Sequence, residues 1–258
     1  MTQPRRITVA PNGARLQKAD HPGLPVTAAE IAHTARMCQL AGADALHLHV
    51  RDGDGQHSLD ADLYRDAIAA VARAAPGMDI QITTEAAGRF DVPAQLELLA
   101  NLKPAAASIS VREIARSPDL VRDVYATALA QGTRVQHILY GGTCIAQLCS
   151  WLDDGIVQSQ MRDAILVLGQ YAPAQTGTPA DLPDLLAHTT AARLNMTVCA
   201  FGPKEQQCLL AAAEMGCDLR VGFENNRTAP DGTVWQDNAA AVAALKHACD
   251  QQNKVASA

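Results

Sequence analysis

Short β-branched or apolar runs alternate with longer Ala- and Leu-rich stretches of helical period along all 258 residues of the chain. The strand-like runs are residues 7–10, 45–50, 79–84, 106–111, 134–140, 164–168, 196–201 and 219–223. Between them lie amphipathic segments over 27–40, 60–74, 94–102, 118–130 and 204–215, with a last one over 238–249. Punctuation supports the helices. Thr27 precedes Glu30 at the spacing of a capping box, Ser58 and Asp60 stand before the second helix, and Gly42, Gly132 and Gly216 follow helix ends. Eight strand–helix units require parallel strands with right-handed crossovers, and a chain of this length closes them into one (β/α)8 TIM barrel over residues 1–258. An open doubly wound sheet shares the alternation. It is disfavoured as a dinucleotide binder because the first turn, Pro11-Asn12-Gly13-Ala14-Arg15, starts no G-x-G-x-x-G motif.

Composition narrows the class. The chain is 48% hydrophobic and 19% charged, which excludes intrinsic disorder, but only 3% aromatic, so Ala, Val, Leu and Ile must build the core. Few rings and a formal net charge of −6 argue against a nucleic-acid groove or an anionic membrane partner. No apolar run reaches the ~18 residues of a membrane span, and the first residues lack the apolar core of a secretory signal. Seven Cys without C-x-x-C read as reduced, mostly buried thiols of a cytoplasmic protein.

Chemistry in a barrel belongs at the C-terminal ends of the strands. His47 and His49 stand there two apart, so both side chains leave one face of the strand about 6.6 Å from each other along it. Such a pair either is satisfied by hydrogen bonds in a barrel interior or converges on a metal. Glu224, at the end of a strand that a closed barrel brings near, would complete a set of two imidazoles and one carboxylate that suits Zn2+ with an open position. Arg220 shares Glu224's face one layer deeper, as counterion or as substrate anchor. Thr83 and Glu85 share a face on the third strand, and Glu85 beside a cation is placed for general-base work if it is not a surface loop carboxylate. Asn12, Thr84, Ser110 and Asn225 also sit at strand ends, as candidate substrate contacts. Arg15, Lys18, Asp20 and His21 lie in a long loop of the kind that carries specificity, and Lys204 opens a helix where phosphate could bind. His137, mid-strand, and His188, on a helix, read as structural, and Met37, Met161, Met196 and Met215 as core fillers.

The segments ITVAPNGAR, AGADALHLHVRD, IQITTE and LRVGFENN together resemble the β-keto acid cleavage enzyme family. The front motif and the RVGFENN motif are specific in combination. The resemblance extends over essentially the whole chain. It implies a metal-dependent (β/α)8 barrel, commonly zinc-bound and homotetrameric, that cleaves a β-keto acid with acetyl-CoA to give acetoacetate and a new CoA thioester. It implies His47, His49 and Glu224 as metal ligands, Arg220 in proton abstraction or orientation, and Thr83 as the substrate-binding hydroxyl. Three positions depart from the type enzyme: Arg15 replaces an acid, Asn225 an aspartate, and Glu85 a glycine. The expectation that follows is that Glu85 is the base and Arg15 reads an anionic substrate tail. A metal-dependent lyase or hydrolase without CoA, and a catalytically silent small-acid-binding barrel, stay open on the residues alone.

Overall fold

The computed structural model describes residues 5–170, 174–190 and 192–256. Among them eight parallel strands close into a barrel: β1 (Ile7–Val9), β2 (Ala45–Leu48), β3 (Asp79–Thr83), β4 (Ala106–Ser110), β5 (Arg134–Leu139), β6 (Asp163–Gln170), β7 (Asn195–Ala200) and β8 (Asp218–Val221). Each pairs with the next in sequence, and β8 returns to β1 with Thr8 opposite Arg220, which seals the sheet. The TIM barrel that the alternation predicts is the fold observed. The crossovers are α1 (Ala28–Leu40), α2 (Ala61–Ala74), α3 (Val92–Leu102), α4 (Val121–Ala130), α5 (Gly142–Asp153), α6 (Leu182–Thr190) and α7 (Glu205–Glu214), with α8 (Asn238–Ala256) after the last strand. Thr27 and Glu30 form the expected capping box, and Asp60 caps α2 through two backbone N–H groups.

Strand parity divides the core in two. Outward positions such as Leu46, Leu48, Ile82, Ile109, Leu139, Leu166 and Leu219 are buried under the helices in the main apolar cluster. A second, small cluster of Ile138, Ile165, Val167 and Cys199 lies apart from it on the inward parity, joined by Tyr140 and Phe201. Many of the other inward positions are polar, and those of the lower layers bond to one another. At the N-terminal mouth Asp79 takes both Arg6 and Arg134 and holds its carboxyl below the usual range, around a cavity of about 410 Å³. One layer higher, Gln81, Gln136 and Thr197 form a chain of hydrogen bonds.

Several side chains refine the expectations. Seven of the predicted strands overshoot at their C-terminal ends by one or two residues, because positions such as Ala10, Thr84, Tyr140 and Phe201 already belong to the loops of the C-terminal face, whereas the sixth, expected over 164–168, runs from Asp163 to Gln170. His137 is structural as expected: it is fully buried on the outward face of β5, near the Tyr125 hydroxyl and the Met161 carbonyl. Two of the methionines are not core fillers. Met37 and Met215 are 41% and 46% exposed. Met37 falls off the face of α1 that buries Ile31, Ala32, Ala35 and Cys38.

The join of β8 to β1 needs a glycine. Gly222 has φ +141°, and a Cβ there would stand 2.4 Å from the carbonyl oxygen of Ala10. Gly222→Ala should therefore destabilise the chain by about 3 kcal/mol in denaturant unfolding. Gly77→Ala, also at positive φ but with nothing within 4 Å, should lose only the backbone penalty of about 1 kcal/mol.

Candidate active site

The C-terminal face is assembled by loops that the barrel interior pulls inward. Arg51 is buried, and its guanidinium donates to the carbonyls of Ala14 at 2.7 Å and Leu16 at 3.2 Å, and also to Gly13. That clamp draws the β1 loop over the barrel mouth. Gly13 sits in the loop at φ +59°, and a Cβ there would lie 2.6 Å from Cγ of Glu224. Only glycine lets the loop and the carboxylate share that space. From the other side Asn238 accepts from Phe223 N and donates to the Pro11 carbonyl, so the start of α8 ties the ends of β8 and β1. Glu205, buried at the start of α7, accepts from Asn226 Nδ2 at 3.3 Å and faces Gly222 N at 3.4 Å. Burial pushes its carboxyl up to about 8.

The turn held this way delivers Glu224 to the two histidines. His47 Nε2 and His49 Nε2 are 3.1 Å apart, and Glu224 Oε2 lies 3.7 and 3.4 Å from them. All three residues are buried. Ligands around a tetrahedral Zn2+ at the usual 2.0–2.1 Å stand about 3.3–3.4 Å from each other, so this triangle has the dimensions of one face of such a site. The protonation states suit a cation. Burial pushes His47 down to about 4 and His49 down to about 3, which leaves both rings neutral with lone pairs to offer. Burial alone would raise Glu224, but Arg220 and the two histidines overcome it and hold the carboxyl well below its ordinary value. The residues present fit a divalent metal.

Arg220 lies directly under the triad, only 3% exposed, with Nη2 3.4 Å from Glu224 Oε1 and 3.4 Å from Cys199 Sγ. Its Nε and Nη1 have no hydrogen-bond partner among the described residues, although it lines the pocket above the triad. A buried guanidinium that lines a pocket and has unused donors is a candidate anchor for an anionic oxygen.

That pocket is small, about 80 Å³, and brings together His47, Glu224, Arg220, Thr83, Glu85 and Arg15. Thr83 Oγ1 accepts from Glu85 N at 3.0 Å and lies 3.5 Å from Ser108 Oγ. Glu85 is raised to about 7, by burial first and then by the charges of Glu224 and Glu113, against the opposing pull of Arg15 and Arg220. Arg15 Nη2 is 3.9 Å from its carboxylate.

Four expected contacts lie outside the set that lines this pocket. Asn12 is buried and spends its amide N–H on the carbonyls of Pro25 and His49. The Thr84 hydroxyl donates to the Ser108 carbonyl across to β4. Asn225, adjacent to Glu224, is buried with both side-chain polar atoms lacking a hydrogen-bond partner among the described residues, and so is the hydroxyl of Ser110. Lys204 is exposed at the N-cap of α7, and His188 is exposed on α6.

Arg112 and Tyr140 are among the pocket residues to which the strand ends alone assigned no role. Arg112 stacks its guanidinium 3.3 Å over the ring of Tyr140, at the rim. Tyr140 was accessible by parity, two residues beyond Ile138. Arg112 was not, because the chain turns into the short helix Val111–Ile114 after β4 and strand alternation stops there.

The fold is that of a TIM barrel, and its C-terminal face carries a buried group of two histidines and one glutamate that forms a candidate metal site. A family model described as beta-keto acid cleavage enzyme matches residues 4–258, and the chain belongs to that family. It is 28% identical over 240 residues to the 3-keto-5-aminohexanoate cleavage enzyme of Fusobacterium nucleatum, covering 90% of this chain and 86% of that one. It is 26% identical over 266 residues to the 3-oxoadipate:acetyl-CoA acetyltransferase of Cupriavidus necator, covering 98% and 91%. Among solved structures, the binary complex of ObcA with oxaloacetate superposes with a TM-score of 0.75 at 16% identity, over 90% of this chain and 64% of ObcA. The chain thus spans about two thirds of ObcA, and the likeness is one of fold.

His49→Ala and Glu224→Gln should each lower Zn2+ affinity at least tenfold, read as metal retained after dialysis against a chelator, with the helical circular dichroism of the parent kept.

Proposed function

We propose that the chain exchanges the acyl group of a small anionic β-keto acid with acetyl-CoA, releasing acetoacetate and a new acyl-CoA. The observation that carries this reading is one pocket in which a cation site of two neutral histidines and a glutamate, Arg220 with unused donors and a carboxylate near pH 7 meet. His47, His49 and Glu224 would hold the metal, Zn2+ being the ion their donor set suits. A cation there supplies Lewis acidity toward the keto oxygen of the substrate.

The chain's own residues divide the remaining work. Arg220 receives the substrate carboxylate and keeps it beside the triad. The methylene between the keto and carboxylate groups is acidified by both, and Glu85 is the base that takes its proton. A carboxylate at about 7 is half ionised at neutral pH, so it can accept that proton and later return it. Thr83 anchors the start of the Glu85 loop through the Glu85 N–H, and its hydroxyl faces the pocket. In the overall exchange the bond from the acetyl carbon to sulfur breaks and a bond from that carbon to the substrate methylene forms. The bond between that methylene and the original acyl carbon breaks, and the released acyl group ends on the CoA sulfur.

Selection at the distal end falls to Arg15 and Arg112, two guanidiniums at the rim of a pocket with few rings. They suit a second carboxylate or another acceptor on the substrate and disfavour an ammonium group. The C. necator relative has a keto dicarboxylate and acetyl-CoA in its name, and this supports the same choice.

The primary test is mass detection of acetoacetate and a new CoA ester from a panel of β-keto acids with metal-analysed protein. Acetoacetate that forms only with acetyl-CoA is the expected result. Products without CoA would point to a lyase or hydrolase instead, and retained metal with no product to a silent binder. The base assignment has its own signature. Activity requires ionised Glu85, so kcat/KM should rise with pH through about 7, and Glu85→Gln should abolish turnover with the metal still bound. Arg15 pulls the Glu85 carboxyl down, so Arg15→Ala should move that rise to higher pH while weakening KM for dianionic substrates more than for cationic ones.

A further inference from the structure

We propose that Gln81 is a positioning residue for the cation-binding His47, and that Gln136 and Thr197 act through it by tying any turn of its amide to a turn of their own groups. The inference rests on the cation site of His47, His49 and Glu224 proposed above and concerns residues below it that touch no substrate.

A neutral imidazole carries its hydrogen on one nitrogen and its lone pair on the other. Binding a cation at Nε2 therefore requires the hydrogen on Nδ1. His47 Nδ1 lies 2.8 Å from Gln81 Oε1, and a carbonyl oxygen only accepts, so this contact selects the required tautomer. An isolated glutamine could turn its amide over, offer its NH2 group to Nδ1 and drive the hydrogen onto Nε2, into the cation position. Here it is not isolated. Gln81 Nε2 donates to Gln136 Oε1 at 3.2 Å, and Gln136 Nε2 donates to Thr197 Oγ1 at 3.1 Å.

These residues come from β2, β3, β5 and β7, so the chain of bonds spans the floor of the barrel between the metal pocket and the lower cavity. Its three members on β3, β5 and β7 reverse together or not at all, because turning one amide alone sets oxygen against oxygen or N–H against N–H. The threonine hydroxyl can both donate and accept, so two directions are self-consistent. In one, His47 offers Nε2 to a cation; in the other, Nε2 carries the hydrogen toward His49 and Glu224. The bonds present are those of the first direction, and leaving it requires all three groups to turn at once. His49 has no equivalent: its Nδ1 has no hydrogen-bond partner among the described residues, which leaves His47 as the ligand whose tautomer the barrel controls.

The test is Zn2+ affinity by chelator competition on the folded, substrate-free protein, with thermal unfolding of the metal-free form as a separate readout. Gln81→Leu should weaken Zn2+ binding roughly 10- to 100-fold, the usual effect of removing the partner of a ligating histidine. Gln81→Glu keeps an acceptor that cannot be turned over, so it should bind at least as tightly as the parent. Gln136→Leu, which touches no ligand, should weaken binding in the same direction by up to roughly tenfold. Nitrogen NMR of the Zn2+-loaded parent should find the His47 hydrogen on Nδ1. Zn2+ binding by Gln81→Leu or by Gln136→Leu within twofold of the parent would overturn the proposal, as would equal losses in Gln81→Glu and Gln81→Leu. Should Gln81→Leu fail to fold, the other two variants decide alone. A parent that binds no divalent ion would sink the metal reading itself, which is a different result from a parent that binds and variants that bind equally.

Discussion

The site depends on keeping one carboxylate ionised in a place that opposes ionisation. Glu224 is buried among β-strand ends, where desolvation alone would favour the neutral acid. Arg220, four residues earlier and one layer deeper, supplies the opposing charge and is itself held cationic by the surroundings it stabilises. Breaking such a buried pair by removing one partner typically costs about 3–5 kcal/mol, whereas the intact pair adds little to stability. Its value lies in function: it presents a permanent negative oxygen to two histidines that burial keeps neutral. The loop geometry serves the same end. The glycine at position 13 makes room for the carboxylate, the Arg51 clamp draws the first loop in, and Glu205 and Asn238 pin the turn that bears Glu224.

Placing this charge inside a barrel requires an interior that tolerates polarity. The apolar stabilisation is accordingly moved outward, between the strands and the helices, and the inner positions of the lower layers bond to one another, whereas Arg220 and Ser110 near the top keep buried polar atoms without a partner among the described residues. Ion pairs line the lower mouth, amides and a hydroxyl fill the middle, and the candidate site residues occupy the top. Ile138 and Val167 of the small inward apolar patch line the pocket, where burial and the charges of Glu224 and Glu113 raise Glu85 toward neutrality. The barrel interior is thus continuous support for the site rather than inert filling.

Much of this was legible along the chain, and the parts that were not share a cause. The order of strands and helices follows from local periodicity, so Ala45–Leu48 or Asp218–Val221 could be assigned without knowing their neighbours. His47, His49, Arg220 and Glu224 were accessible because parity within a strand is also local, and closure of eight units makes the last strand a neighbour of the first. Thr84 and Asn12 show the limit of that logic. Both stand at strand ends, but whether such a side chain faces the pocket or ties down a loop depends on which backbone carbonyls come near, and the Asn12 amide N–H and the Thr84 hydroxyl both donate to carbonyls. Met37 and Met215 fail for a related reason: an apolar residue type does not say which side of its helix is covered.

The chain by itself therefore determined the barrel, the residues of the candidate cation site and the family to which the chain belongs, because period, parity and motif spacing are properties of neighbouring residues. Only the tertiary structure decided how those residues behave. The elevated Glu85, the rim made by Arg15 with Arg112 on Tyr140, and the Gln81–Gln136–Thr197 floor beneath His47 join positions from different strands and loops. Desolvation, Coulomb interaction and hydrogen-bond direction act through space at a few ångströms, and no spacing along the sequence encodes those distances.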